Sequence, residues 1–308
     1  MKLVFLGTPE FAVPTLEAIV RAGHEVAAVV TQPDRPRGRG QHAAAPPVKQ
    51  SAAALGLSVF QPERVRRPEA VEYLRGLGAE AMIVVGYGQI IPQSVIDLAP
   101  KGILNVHASL LPKYRGAGPV QWAIVNGETR TGVTTMRIDA GLDTGDMLLK
   151  AETEIGPEEN AIELGRRLAV LGAELLVETL ARLDRIVPEK QDTAQATWAP
   201  LLKKEDGRID WAQPARAIHN RVRGLQPWPG AQTLFRGTPL GIWRSRVAEG
   251  AGGAPGAILR TRPLTVGTGE GALELLEVQM EGRKRVSAAD FANGQRLTEN
   301  DKLGEPRS

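Results

Sequence analysis

The run Ile103-Leu104-Asn105-Val106-His107-Ala108-Ser109-Leu110-Leu111-Pro112-Lys113-Tyr114-Arg115-Gly116-Ala117-Gly118-Pro119 decides the reading of the chain. Its first five residues are apolar apart from Asn105 and His107, which is the composition of a buried strand. Side chains on a strand repeat direction every second residue, so Asn105 and His107 project from one face, side by side. Polar groups in such a place need partners or water, or their burial costs free energy. Turn residues follow at once: Ser109, Pro112, Gly116, Gly118 and Pro119. In open α/β sheets ligands sit beyond the carboxyl ends of the strands. The stretch therefore reads as a strand end carrying an amide and an imidazole into a crevice. A structural, hydrogen-bonded histidine is the competing reading of the pair taken alone.

A second element bears on that choice. Residues 137–147, R-I-D-A-G-L-D-T-G-D-M, follow a strand-like run over 131–138 and offer Asp139, Asp143 and Asp146. A carboxylate brought near His107 would orient the imidazole and stabilise its cation. The aspartates lack the D-x-D-x-D-G…E spacing of a calcium loop, and no metal is expected.

Working outward, residues 2–6 read as a first buried strand ending at Gly7. Thr8 suits a helix cap and Pro9 the first helical position, with Gly23 closing a helix that runs to about residue 21. Residues 25–31 form the next strand, so the chain opens with a βαβ unit and a parallel sheet is expected. The turn G-T-P-E-F lacks the G-x-G-x-x-G spacing of a dinucleotide site. Residues 32–47 are long for a βα connection and carry Arg35, Arg37 and Arg39 against the single acid Asp34. They are expected to form a mobile loop able to reach a phosphate backbone. Residues 80–86 are a buried strand, followed by Tyr87-Gly88-Gln89-Ile90-Ile91-Pro92, a turn able to wall a flat apolar ligand. A long amphipathic helix over 158–183 places Leu164, Leu168, Leu171, Leu175 and Leu176 on one stripe.

Domain boundaries follow from texture: a catalytic domain over 1–189, a polar, Pro-containing linker over 190–206, and a C-terminal domain over 207–308. In the last, five short strand-like runs over 232–235, 239–247, 257–259, 264–267 and 273–279 suggest an OB-like β-barrel. Arg244, Arg246, Arg283, Lys284 and Arg285 are candidates for a nucleic-acid-binding face on it. The expected fold is thus α/β, a Rossmann-like parallel-sheet domain followed by an OB-like barrel.

The chain has 308 residues, 42% hydrophobic and 24% charged, which is ordinary for a globular protein of two domains. No apolar run spans a membrane and no secretory leader is read at the N-terminus, so a cytoplasmic, membrane-free protein is expected. With no cysteine, disulfides, thiolate metal sites and cysteine nucleophiles are excluded. Residues 1–206 hold 23 Lys+Arg against 25 Asp+Glu, and residues 207–308 hold 15 against 10, a modest basic excess at the C-terminal end.

The motifs N-V-H-A-S-L-L-P-K-Y-R-G-A-G-P-V-Q-W-A and D-A-G-L-D-T-G-D-M resemble those of the folate-dependent formyltransferases, within them the branch that acts on a charged tRNA. The likeness runs nearly end to end and includes T-W-A-P-L-L-K-K-E-D-G-R-I-D-W at the join. It implies transfer of a formyl group from 10-formyltetrahydrofolate, a co-substrate, to the α-amine of initiator methionyl-tRNA. The family's catalytic Asn, His and Asp fall on Asn105, His107 and Asp143. Its folate contact falls on Ser109, Leu110, Leu111 and Pro112, and its pteridine pocket on the turn holding Tyr87, Gly88 and Ile90. Its basic loop falls on 32–47, with the important arginine at Arg39. Family members often carry lysines where this chain has Gln41 and His42. A monomer is expected. Rival readings are a formyl acceptor of small size, such as glycinamide ribonucleotide or an amino-sugar nucleotide, an NAD(P) oxidoreductase, and an RNA-binding protein with a vestigial site.

Overall fold

The computed structural model describes residues 1–37, 42–250 and 252–304. They fold into two compact units that interleave along the chain: residues 1–116, 131–153 and 165–198 in one, residues 117–130, 154–164 and 199–308 in the other.

The first unit is built on a seven-stranded sheet. Its strands in chain order are β1 (Lys2–Gly7), β2 (Glu25–Val30), β3 (Val59–Phe60), β4 (Ala81–Val85), β5 (Ile103–His107), β6 (Arg130–Arg137) and β7 (Met147–Glu154). Across the sheet they run β7-β6-β5-β4-β1-β2-β3. The five strands from β5 to β3 pair in parallel, as the opening βαβ pattern requires. The expectation of a parallel sheet needs one correction, since β6 pairs antiparallel with β5 and the sheet is mixed. Asn105 stands between Val84 of β4 and Met136 of β6, and His107 stands opposite Thr134. The strand carrying both polar residues is thus internal, with its backbone bonded on both sides. Every residue of β4 and β5 is buried, which accounts for their continuous apolar reading.

The helix Ala161–Arg182 covers β5 and β6 through its buried Leu168, Leu175 and Leu176. Its approach is close: a Cβ added to Gly172 would lie 2.7 Å from Val106 Cγ1, so this position takes only glycine without adjustment. Thr179 and Thr135 share a 2.8 Å hydrogen bond on the same face.

Two local expectations are revised. Thr8 does not cap a helix, because its hydroxyl donates to Tyr87 O at 3.0 Å. A 3-10 turn, Glu10–Ala12, comes next, and the α-helix begins only at Val13. The stretch 32–47, expected as a loop throughout, contains a short antiparallel pair, Arg35–Arg37 with His42–Ala44. Arg39, Gln41 and the rest of 38–41 lie outside the described residues.

The second unit carries an antiparallel sheet of β8 (Ala231–Phe235), β9 (Thr238–Ala248), β10 (Ile258–Thr261), β11 (Leu264–Gly267), β12 (Ala272–Met280) and β13 (Val286–Ser287). Its order is β8-β9-β12-β11-β10, with β13 on β12. The expected OB-like barrel is not closed by strand pairing among the described residues: β8 and β10 are end strands. The segment 301–304 lies between them. Leu303 N donates to Gly256 O at 2.8 Å, beside the start of β10, and Gly304 N donates to Leu234 O of β8 at 2.8 Å. One extended segment therefore satisfies backbone groups of both open edges. Trp211, Val222, Phe235, Leu273 and Phe291 belong to the core inside. Also in this unit, the helix Pro119–Val125 packs on the helix Ala215–Gly224 at Gly224, whose added Cβ would touch Val125 Cγ2 at 2.8 Å.

Candidate active site

Strand β5 delivers Asn105 and His107 to one face, as their spacing requires, and both are buried at 8% and 6% exposure. The Asn105 side chain makes no hydrogen bond to another described residue. An amide buried at a strand end and left uncommitted is costly unless something else completes it.

His107 is fixed by its two nitrogens. Nε2 lies 2.9 Å from Tyr114 O, a carbonyl that only accepts, so Nε2 carries the proton. Nδ1 is then the nitrogen free to gain or lose a proton. It faces Asp143 Oδ2 at 3.7 Å, longer than a direct hydrogen bond. Tyr114 is held in the left-handed region, φ 62°, with its N–H donating to Thr197 Oγ1 at 2.8 Å.

Asp143 is also left-handed, φ 53°. Its Oδ2 accepts the Gly116 N–H at 2.9 Å, and its own carbonyl accepts from Gln191 Nε2 at 2.8 Å. The same Gln191 nitrogen reaches Gly145 O at 2.8 Å, and Gln191 Oε1 accepts from Arg115 Nε at 2.9 Å. Asp139 is used otherwise: its Oδ1 accepts from Gly141 N and from Thr144 Oγ1 within the turn. Of the three aspartates singled out from sequence, Asp143 is the one brought to His107.

The other predicted residues are placed as follows. Ser109 is fully buried, its hydroxyl donating to Lys113 O at 2.6 Å, while Thr134 Oγ1 donates to Ser109 O at 2.7 Å. That turn leaves the Ser109 side chain spoken for. Leu111 packs with Met136 and Met147, and Leu110 and Pro112 are half-buried. Tyr87 points into the apolar core of the first unit, where burial pushes its phenol up to about 12 and its hydroxyl finds no partner. The turn beyond it is open: Gly88 has φ 83° and Ile90 is 90% exposed.

Among the basic candidates, Arg35 is exposed on its short strand, and Arg37 has its backbone paired with His42. On the C-terminal sheet Arg244 faces Glu277 at 3.8 Å and Arg246 faces Glu274 at 2.8 Å, across the β9–β12 register. Arg285 lies 3.7 Å over the Trp243 ring and 3.6 Å from Glu277. Arg283 and Lys284 are exposed. The face is basic, but glutamates interleave it.

Three contributors were not singled out from sequence: Gln191 and Thr197, within the stretch expected as a linker, and Thr134. Each acts across long sequence separation, where no local periodicity marks it.

A mixed sheet that presents an amide and an imidazole at an internal strand end, with a loop carboxylate facing the imidazole, defines the class. Family models agree: "Formyl transferase" matches residues 1–180 and "Formyl transferase, C-terminal domain" matches residues 201–296. The chain belongs to the formyl transferase family and is an enzyme of that class. It is 82% identical over 308 residues to a protein of Solibacter usitatus named methionyl-tRNA formyltransferase, covering 99% of both chains. The like-named protein of Koribacter versatilis is 59% identical, again over 99% of both. Among solved structures, the fold is shared with a sugar 3N-formyl transferase, WlaRD, at TM-score 0.68 and 18% identity, covering 92% of this chain and 99% of that one. It is also shared with HypX of Aquifex aeolicus in complex with tetrahydrofolic acid, at TM-score 0.64 and 20% identity, covering 95% of this chain and 47% of that one.

Proposed function

We propose that the chain transfers the formyl group of 10-formyltetrahydrofolate to the α-amine of initiator methionyl-tRNA, giving N-formylmethionyl-tRNA, and that it does so as a cytoplasmic monomer. The carrying observation is the uncommitted Asn105 amide beside an imidazole with one exchangeable nitrogen, facing Asp143. The acceptor is taken from the name of the relative that is 82% identical.

The donor set suits the reaction. A carbon–nitrogen bond forms at the methionyl amine as the donor's own carbon–nitrogen bond breaks, and one proton moves from the first nitrogen to the second. Negative charge develops on the formyl oxygen, and the Asn105 N–H group is free to receive it. A preorganised donor of this kind contributes about 2.7–4 kcal/mol to the barrier. His107 Nδ1 supplies the second donor when protonated, since Nε2 is committed to Tyr114 O. Asp143, 3.7 Å away, balances that cation, and a water lying beside the pair and bonded to both can carry the transferred proton.

Folate contact is assigned to the backbone of 109–112 and to the open turn at Gly88 and Ile90. The Ser109 hydroxyl and the Tyr87 ring are turned inward and serve by shaping these turns. Contact with tRNA is assigned to Arg35, Arg37 and Arg39, and to Arg244, Arg246, Arg283, Lys284 and Arg285. The test is formyl transfer from 10-formyltetrahydrofolate to methionyl-tRNA, with an amino-sugar nucleotide and glycinamide ribonucleotide as competing acceptors. Transfer to the charged tRNA alone supports the proposal, and transfer to a small acceptor alone refutes its acceptor.

A further inference from the structure

Asp143 sits in a conformation that residues other than glycine adopt at a cost, and its carboxylate must nonetheless be held to a fraction of an ångström. Its own turn does not supply the restraint. The bonds within that turn are made by Asp139, to Gly141 and Thr144. The carboxylate oxygen is held by the Gly116 N–H at 2.9 Å, and the backbone beneath it by Gln191, 48 residues away, whose Nε2 spans the carbonyls of Asp143 and Gly145 at 2.8 Å each. These carbonyls flank Thr144, so one amide nitrogen fixes the backbone on both sides of the residue after Asp143. The amide cannot turn round, because Arg115 Nε donates to its oxygen at 2.9 Å. Arg115 is itself 4% exposed and faces no carboxylate among the described residues, and its Nη2 has no partner. A guanidinium buried without a counter-ion is expensive. Among the described residues, its side-chain bond is the one that orients Gln191.

We propose that Gln191 is a positioning residue for the transfer step, clamping the 143–145 backbone so that the Asp143 carboxylate faces His107 Nδ1, with Arg115 setting the sense of the clamp. Gln191 touches neither substrate nor reacting atoms. It acts through Asp143 alone, and so rests on the catalytic role proposed above for that residue.

Gln191→Glu is the informative change. It keeps length and the acceptor for Arg115, adds an ion pair there, and replaces the donor by an anionic oxygen facing two carbonyls. The turn is expected to move by about an ångström, which lowers kcat about 100-fold. KM for both substrates stays within about threefold, since neither is touched. Gln191→Met removes the same donor without charge and serves if the glutamate variant fails to fold. The discriminating measurement is a double-mutant cycle with Asp143→Ala. If Gln191 acts through Asp143, Gln191→Glu costs nothing further in the Asp143→Ala background. A full 100-fold loss in that background overturns the proposal, as does an unchanged kcat in Gln191→Glu itself. A readout independent of activity is hydrogen exchange at the Gly116 amide, which Asp143 Oδ2 accepts at 2.9 Å. Exchange should quicken at least tenfold in both variants. Unchanged protection overturns the clamp even if the parent enzyme transfers no formyl group to tRNA, a result that would instead refute the acceptor.

Discussion

Replacing Asn105 by leucine separates the demands of catalysis from those of folding. The side chain is 8% exposed on an internal strand and bonds to no other described residue. Its amide therefore contributes nothing to the fold that a similar apolar shape would not. A buried polar group without a partner costs about 1–3 kcal/mol, and an apolar replacement of like shape is neutral or stabilising. For a chain of 308 residues 1 kcal/mol shifts Tm by about 1–2 °C, so Asn105→Leu should melt at the parent temperature or a few degrees above it. Catalysis moves the other way. Losing one preorganised donor to the developing oxyanion costs about 2.7–4 kcal/mol, or 100- to 1,000-fold in kcat. Differential scanning fluorimetry and single-turnover formyl transfer measure the two effects on one sample. A variant that melts more than about 5 °C lower while keeping its rate would refute the reasoning, since Asn105 would then be a structural residue.

Three further outcomes are expected. In the helix Ala161–Arg182, Gly165 has open space around an added Cβ, whereas Gly172 would meet Val106 at 2.7 Å. Gly165→Ala should therefore gain about 0.5–1 kcal/mol and Gly172→Ala lose about 1–3 kcal/mol; equal shifts in Tm would contradict the packing. His219 is buried with Nε2 3.2 Å from Pro157 O and Nδ1 3.2 Å from Ser245 Oγ, and burial holds its pKa below 6.5 against the raising effect of Glu158. The unfolded chain then binds the extra proton, so stability present above pH 6.5 is lost as the pH falls through 6.5 towards the folded value. Tm measured from pH 8 to 5 should fall less steeply in His219→Gln, and parallel curves would exclude the residue as the cause. Glu274→Gln and Glu277→Gln free Arg246, Arg244 and Arg285 from their carboxylates. Affinity for tRNA should rise a few-fold at low salt and converge with the parent at high salt; no change at either would remove this face from the tRNA contact.

The sequence was legible where the signal was local. Strand β5 and its polar pair follow from alternation, and Asp143 from a Gly/Asp turn placed after a strand. Resemblance to a family added roles to those positions. What was not legible was tertiary. Thr8 looked like a helix cap, yet its hydroxyl is claimed by Tyr87 O, 79 residues away. Tyr87 looked like a pocket wall, yet strand β4 ends so that its ring turns into the core. The sheet was read as parallel from its opening, and nothing near 130–137 announces that β6 runs the other way. The barrel was read from strand spacing, while its end strands meet through Leu303 and Gly304, which carry no strand pattern. Gln191 was hidden in a polar stretch, because a clamp made across 48 residues has no periodicity. The interleaving of the units matters for experiment too. Deleting residues 207–308 would remove the helix Ala215–Gly224 from the helix Pro119–Val125, so single substitutions are the sounder test of tRNA binding.

The most direct test of the central claim is single-turnover formyl transfer from 10-formyltetrahydrofolate to initiator methionyl-tRNA by the parent and by His107→Ala, with folate and tRNA binding measured alongside. The account predicts transfer by the parent, a loss of at least 100-fold in the variant, and binding of both substrates within a few-fold of the parent. A variant that transfers at the parental rate would contradict it, because His107 Nδ1 would then have no part in moving the proton.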